Sequence, residues 1–170
     1  FGREYDTPLD GRDSGAAQGQ VAVDHGKVHE FLGELPDQDG LAVVYVKMGS
    51  LGTGGGGVAV VGGRSDTTLI HEWGHAFGGL SDEYSTDTGH RGSVRSNINV
   101  SNTDDLSQVP WRHWIDARVP GVGASEGADG RFRGAWKPMT SGCTMSNGMA
   151  FCRICREAMV LRVYSIVDPI

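Results

Sequence analysis

His71, Glu72 and His75 stand in the order HExxH at the start of the stretch HEWGHAFGGLSDEY, which runs from His71 to Tyr84. Histidines four residues apart on an α-helix lie about 40° apart on one face, one turn along it. Both imidazoles then reach a single ion at zinc–nitrogen distances of roughly 2.0–2.1 Å. Glu72 sits beside the first histidine, offset enough to miss the ion and near enough to touch a water on it, which is the placement of a general base. The chemistry this predicts is hydrolysis. Zinc lowers the pKa of a bound water toward about 7, and the glutamate takes its proton and passes it to the leaving amine.

A catalytic zinc takes three protein ligands. Gly78-Gly79 follows the second histidine, and glycine can adopt positive φ and turn the chain sharply back. The pattern HExxHxxGxxH fits through Gly78, but its last position is Ser81, a poor zinc ligand. With one extra residue in the turn, Asp82 is the preferred third ligand, and Glu83 is the alternative. Asp82 has a competing structural role as a loop carboxylate that caps a turn or receives a hydrogen bond from a ligand histidine. A second donor to the developing oxyanion is also expected, with Tyr84 and His113 as the candidates.

Positioning these groups requires a helix with a strand before it. Leu69, Trp73, Ala76, Phe77 and Leu80 recur at helical spacing, and Asp66 or Thr67 is a suitable N-cap. Leu41 to Met48 reads as a buried strand and Val58 to Val61 as a second, with the glycines of Gly49 to Gly57 as a flexible connector. Val58 to Val61 is the natural edge for a substrate added as an extra strand. Val28 to Leu35 fits either a short helix or a strand. Trp111 to Ala117 suggests a short helix, and Phe151 to Val167 a longer one with Ile154, Ala158, Leu161 and Ile166 on its buried side. Phe1 to Gln20 reads as irregular, Thr86 to Gln108 as a polar surface excursion and Gly121 to Gly134 as loop.

The 170 residues suffice for one domain with a core, or two small lobes around a cleft. A net charge of -6 argues against nucleic acid or an anionic membrane as partner, and no apolar run is long enough to span a bilayer. The chain begins at Phe1 rather than Met and shows no signal peptide, which suggests a mature or excised domain. The three cysteines are Cys143, Cys152 and Cys155. A disulfide from Cys143 to Cys152 or Cys155 is the leading expectation and would imply an oxidising compartment. A second zinc site is the lesser one, for want of a fourth ligand.

HEWGHAFGGLSDEY resembles the signature of the immunoglobulin-A peptidase family of zinc metallopeptidases, HExGHxFxxLxDEY. The stretches WRHWI (Trp111 to Ile115), VGASEGA (Val122 to Ala128), Trp136 through Pro138 to CTM (Cys143 to Met145) and FCRICREAM (Phe151 to Met159) are looser matches in the same order, so the likeness runs from about Leu41 to Val160. One departure is GADGRF (Gly127 to Phe132), where an aromatic residue is expected soon after Ala128. The resemblance implies an α/β fold of the metzincin-like zincin type: a small mixed twisted sheet, an active-site helix, and a C-terminal subdomain carrying a Met-turn and a final helix. It implies His71, His75 and Asp82 as zinc ligands and Glu72 as base. Residue types alone do not choose among Met139, Met145 and Met149; the resemblance implies Met145 as the Met-turn methionine.

The sequence therefore predicts a single catalytic domain over 1–170, with subdomains of about 1–79 and 80–170. Its predicted activity is that of a secreted or extracellular zinc endopeptidase acting on protein or peptide. The alternative is a non-catalytic zinc-containing module that binds protein or glycan; retention of Glu72 weighs against it. An aminopeptidase would need an acidic pocket for a free amine near the zinc.

Overall fold

A computed structural model describes residues 7–63, 65–86, 93–139 and 142–167. The first six residues of the stretch read as irregular, and 87–92 of the polar excursion, lie outside the described residues. The protein is of mixed α/β type and divides into two compact units, Phe1–Phe77 and Gly78–Ile170.

In the first unit, β1 (Arg12–Asp13) pairs antiparallel with β2 (Val21–Ala22). The ambiguous segment after it is helical: α1 (His25–Gly33) is capped by Asp24, whose Oδ1 accepts from Lys27 N at 3.1 Å. A mixed sheet follows, made of β3 (Ala42–Val46), β4 (Thr53–Gly55) and β5 (Val58–Gly62) in the order β3-β5-β4. β3 runs parallel to β5 and β4 antiparallel to it.

Two expectations are corrected here. The segment Leu41 to Met48 yields an edge strand rather than a buried one, with Val43 and Tyr45 exposed on its open face. β5 is not an edge; it is the central strand, buried along its whole length. The cause of the second difference is the glycine run. Gly56 and Gly57 both take positive φ, 56° and 83°, and join Gly55 to its partner Val58 in a two-residue hairpin. What reads as a flexible connector is thus a strand and a turn, and β4 forms the edge beyond β5.

Val58 and Val60 of β5 enter a core with Val21, Val23 and Val28. By the pleat, Ala59 and Val61 point to the opposite face of the sheet. There α2 (Asp66–Ala76) packs on β5 and β4. Its N-cap is Ser65, one residue before the expected position, with Oγ accepting from Thr68 N at 3.2 Å.

The second unit contains α3 (Arg112–Asp116), the antiparallel pair β6 (Ser125–Ala128) and β7 (Arg131–Lys137), and α4 (Arg153–Val167). Its main core joins Leu80, Val109, Trp111, Met145, Ile154 and Ala158 with the three cysteines. Ile154 and Ala158 of α4 are buried as expected, whereas Leu161, a turn further on, is exposed. The expected loop Gly121 to Gly134 instead contains β6 and the start of β7. Asp129 and Gly130 turn between them with φ of 53° and 66°, the Asp-Gly pairing that a two-residue hairpin favours. Asn99, Val100 and Ser101 are fully buried, so part of the polar excursion is interior; Ser101 bridges to Trp136 of β7. No helix among the described residues is long and apolar enough to cross a membrane.

Candidate metal centres

His71, Glu72 and His75 project from one stretch of α2, and one donor atom from each lies within 4.8 Å of the others. The two Nε2 atoms are 3.1 Å apart, and the rings meet nearly edge to face at 84°. Two nitrogens on a tetrahedral ion at roughly 2.0–2.1 Å would be separated by about 3.3–3.4 Å, so this donor pair fits zinc with little adjustment. Both histidines are half-buried and Glu72 is buried. Neighbouring side chains brace the helix: Trp73 and Phe77 stack with ring centroids 5.3 Å apart and planes 10° from parallel.

Glycines set how close α2 comes to the sheet. A Cβ on Gly54 would lie 2.9 Å from His75 Cβ and closer still to the Glu72 carbonyl oxygen. A Cβ on Gly52 would lie 2.6 Å from Glu72 Cγ. Glycine before and within β4 lets the turn of α2 that carries Glu72 and His75 rest directly on the strand.

Asp82, Glu83 and Tyr84 belong to the second unit, where main-chain bonds hold them from several sides. Asp129 N donates to Asp82 O at 2.8 Å, Gly130 N to Tyr84 O at 3.2 Å and Glu83 N to Met145 O at 2.6 Å. Asn99 Oδ1 accepts from Ser81 N and its Nδ2 donates to Ser81 O, both at 2.9 Å. The Asp-Gly turn in the departing GADGRF stretch thus positions the DEY segment through its own backbone amides.

Met145 is fully buried in the core, while Met139 is only partly buried and Met149 is 78% exposed. His113 lies on the exposed side of α3, its Nε2 2.8 Å from Glu157 Oε2, an oxygen that also accepts from Trp114 Nε1 at 2.6 Å.

A second donor group lies within this unit. Glu83, Cys143, Cys152 and Cys155 are all buried, with one donor atom from each within 4.8 Å of the others. Cys155 Sγ is 3.1 Å and Cys152 Sγ 3.9 Å from Glu83 Oε1, and Cys143 Sγ is 3.6 Å from Cys155 Sγ. The disulfide expected from Cys143 is not formed; all three residues are thiols. Burial pushes the Glu83 carboxyl up to about 7, although Cys155 and Asn99 donate to it. Hydrogen bonds from the Cys143 and Cys155 thiols pull Cys152 down to about 4. The hydrogen bond with Cys152 pushes Cys143 up, and hydrogen bonds with Cys143 and Cys152 push Cys155 up. Sequence reading misses the partnership of Glu83 with the cysteines because 60 residues separate Glu83 from Cys143 and no local spacing links them. The one available signal is an acidic residue too many after the glycine bend. Asn99 is missed because a polar segment gives no sign of burial.

No family model and no curated protein matches the chain.

Proposed function

We propose that the protein is a zinc-dependent endopeptidase, secreted or extracellular, acting on protein or peptide chains. The observation that carries this reading is the HExxH geometry on α2: two imidazole Nε2 atoms 3.1 Å apart, with the Glu72 carboxylate in the same donor group. His71 and His75 would hold the ion. Asp82 is assigned as third ligand on the sequence argument, strengthened by elimination, since Glu83 is engaged with the cysteines. Zinc, when bound, supplies the Lewis acidity that makes water a nucleophile at neutral pH. Glu72 accepts the proton of the attacking water and returns it to the leaving amine. Tyr84 is the better candidate for a second oxyanion donor, because His113 is paired with Glu157. Met145 is the preferred Met-turn residue, being the buried one of three.

The edge of β4 is the preferred docking line for substrate. Beyond its ladder with β5, β4 has no strand partner among the described residues, and an extended peptide can add there through main-chain hydrogen bonds. It lies against α2 at Glu72 and His75, so a peptide on this edge would run close to the proposed base.

The test combines metal analysis with cleavage of a quenched peptide library. Glu72→Gln is expected to keep the zinc and lose turnover; equal turnover by both proteins would overturn the assignment. Asp82→Ala is expected to lose zinc on dialysis, and unchanged retention would remove Asp82 from the ligand set. If the parent holds zinc at His71 and His75 but cleaves no peptide, the non-catalytic binding module takes its place.

A further inference from the structure

We propose that Glu83, Cys143, Cys152 and Cys155 form a second, closed zinc site whose role is structural and which is separate from the HExxH site. Four donors, three sulfurs and one carboxylate oxygen, converge in the interior, which is the complement of a four-coordinate structural zinc. Zinc–sulfur bonds of about 2.3 Å put tetrahedral sulfurs about 3.8 Å apart, and a carboxylate oxygen at about 2.0 Å would lie about 3.5 Å from each sulfur. The observed 3.6 Å from Cys143 to Cys155 is close to the first value, and the 3.1 Å and 3.9 Å from Glu83 Oε1 to Cys155 and Cys152 lie on either side of the second.

The surroundings support the charge such a site carries. Cys152 N donates to Cys143 Sγ at 3.3 Å, which favours a thiolate there. Asn99 Nδ2 donates to Glu83 Oε1 at 3.0 Å, and Asn99 is itself fully buried and tied to Ser81, which fixes the orientation of the carboxylate. Local backbone bonds also preform the ligand loop. Ser146 N and Gly148 N both donate to Cys143 O, and Thr144 N donates to Ala150 O, so the chain from Cys143 returns tightly to Cys152 at the start of α4. A disulfide would explain two sulfurs and leave the third thiol and a buried carboxyl unexplained. One divalent ion engages all four. Thiolate-rich donors select zinc over calcium or magnesium, which require oxygen.

The experiment uses the whole protein, purified under reducing conditions and loaded with zinc or with cobalt(II) as a spectroscopic probe. Two zinc ions per chain are expected, and cobalt should give an intense thiolate-to-metal charge-transfer band. The three thiols should resist alkylation until a strong chelator strips the metal. His71→Ala with His75→Ala should remove one equivalent and leave the thiolate band. Cys155→Ser should remove the band and the other equivalent. Glu83→Gln, a milder change, should weaken metal retention against a competing chelator at least about 10-fold. If the cysteine variant does not fold, the cobalt spectrum and alkylation of the parent decide. Absence of a thiolate band in the parent would overturn the proposal, as would a disulfide from Cys143 in freshly purified metal-loaded protein. A single equivalent with the thiolate band, unaffected by the histidine substitutions, would sink the peptidase reading and leave this one standing.

Discussion

The two donor groups differ in what surrounds them. His71, Glu72 and His75 lie along barely more than one helical turn, with both histidines half-buried. Glu83, Cys143, Cys152 and Cys155 come from three separate stretches of chain and are all buried. Nitrogen donors with a carboxylate base beside them, on a surface water can reach, suit an ion that keeps a position open for chemistry. Sulfur donors closed off by a core suit an ion that only holds chain segments together. The difference teaches that burial of a donor set, as well as its composition, bears on whether an ion held there could keep a position open for chemistry.

Glu72→Gln should break the comparison most visibly, since it removes the only proposed proton carrier at the open site. Loss of a general base costs typically 10²–10⁴-fold, so kcat on a quenched peptide should fall by about that range with zinc content unchanged. No comparable loss should follow Glu83→Gln if the closed site takes no part in turnover, beyond what altered stability accounts for.

Stripping metal should act in the opposite sense. An ion at the closed site would tie Glu83 to the Cys143 loop and the start of α4, and so would contribute directly to folding. Chelation strong enough to remove both ions should lower the melting temperature by about 10 °C or more, as expected for a loss of roughly 2–3 kcal/mol in a unit of this size. His71→Ala with His75→Ala should shift it far less. Equal shifts in calorimetry would erase the distinction between the two sites.

Much of the first site was legible because it is local. A helix periodicity, two histidines at i and i+4 and a glycine stop all fall within a single short segment, and α2 forms where those signals place it. The glycine run gives no local sign of a strand, because its residues carry no strand propensity. They form β4 because only glycine lets the sheet approach Glu72 and His75 so closely, a tertiary cause invisible in a local window. The Asp129-Gly130 turn is readable in principle, being a strong hairpin dipeptide between residues that pair, so the loop expected over Gly121 to Gly134 overlooks a signal the sequence carries. The closed donor set is legible only in part: the three cysteines suggest a metal site, but Glu83 joins them only through the fold of the second unit.

The packing of β4 on α2 gives a sharper test. Gly54→Ala forces a Cβ against His75 Cβ and the Glu72 carbonyl, so helix and strand must move apart. Overpacking of this kind costs typically about 1–3 kcal/mol. Displacement of the reacting groups by even about 1 Å can lower turnover by about 10²-fold. A fall in kcat larger than the stability loss explains, with the thiolate-cobalt band unchanged, would place the effect at the open site alone.

The smallest effect should come from Ser65→Ala. Ser65 Oγ accepts from Thr68 N at 3.2 Å and caps the helix that carries both histidines, nearly three turns upstream of His75. Losing an N-cap costs about 1 kcal/mol, because one first-turn amide loses its partner. Fraying decays within that turn, so Glu72 and His75 should keep their places against β4. A modest drop in denaturation midpoint with kcat preserved would show that the sheet, more than the cap, holds the open site in register. A drop in kcat matching that of Gly54→Ala would instead make the helix start as important as the glycine contact, and the open site would then depend on the whole of α2 rather than on the turn that rests on the strand.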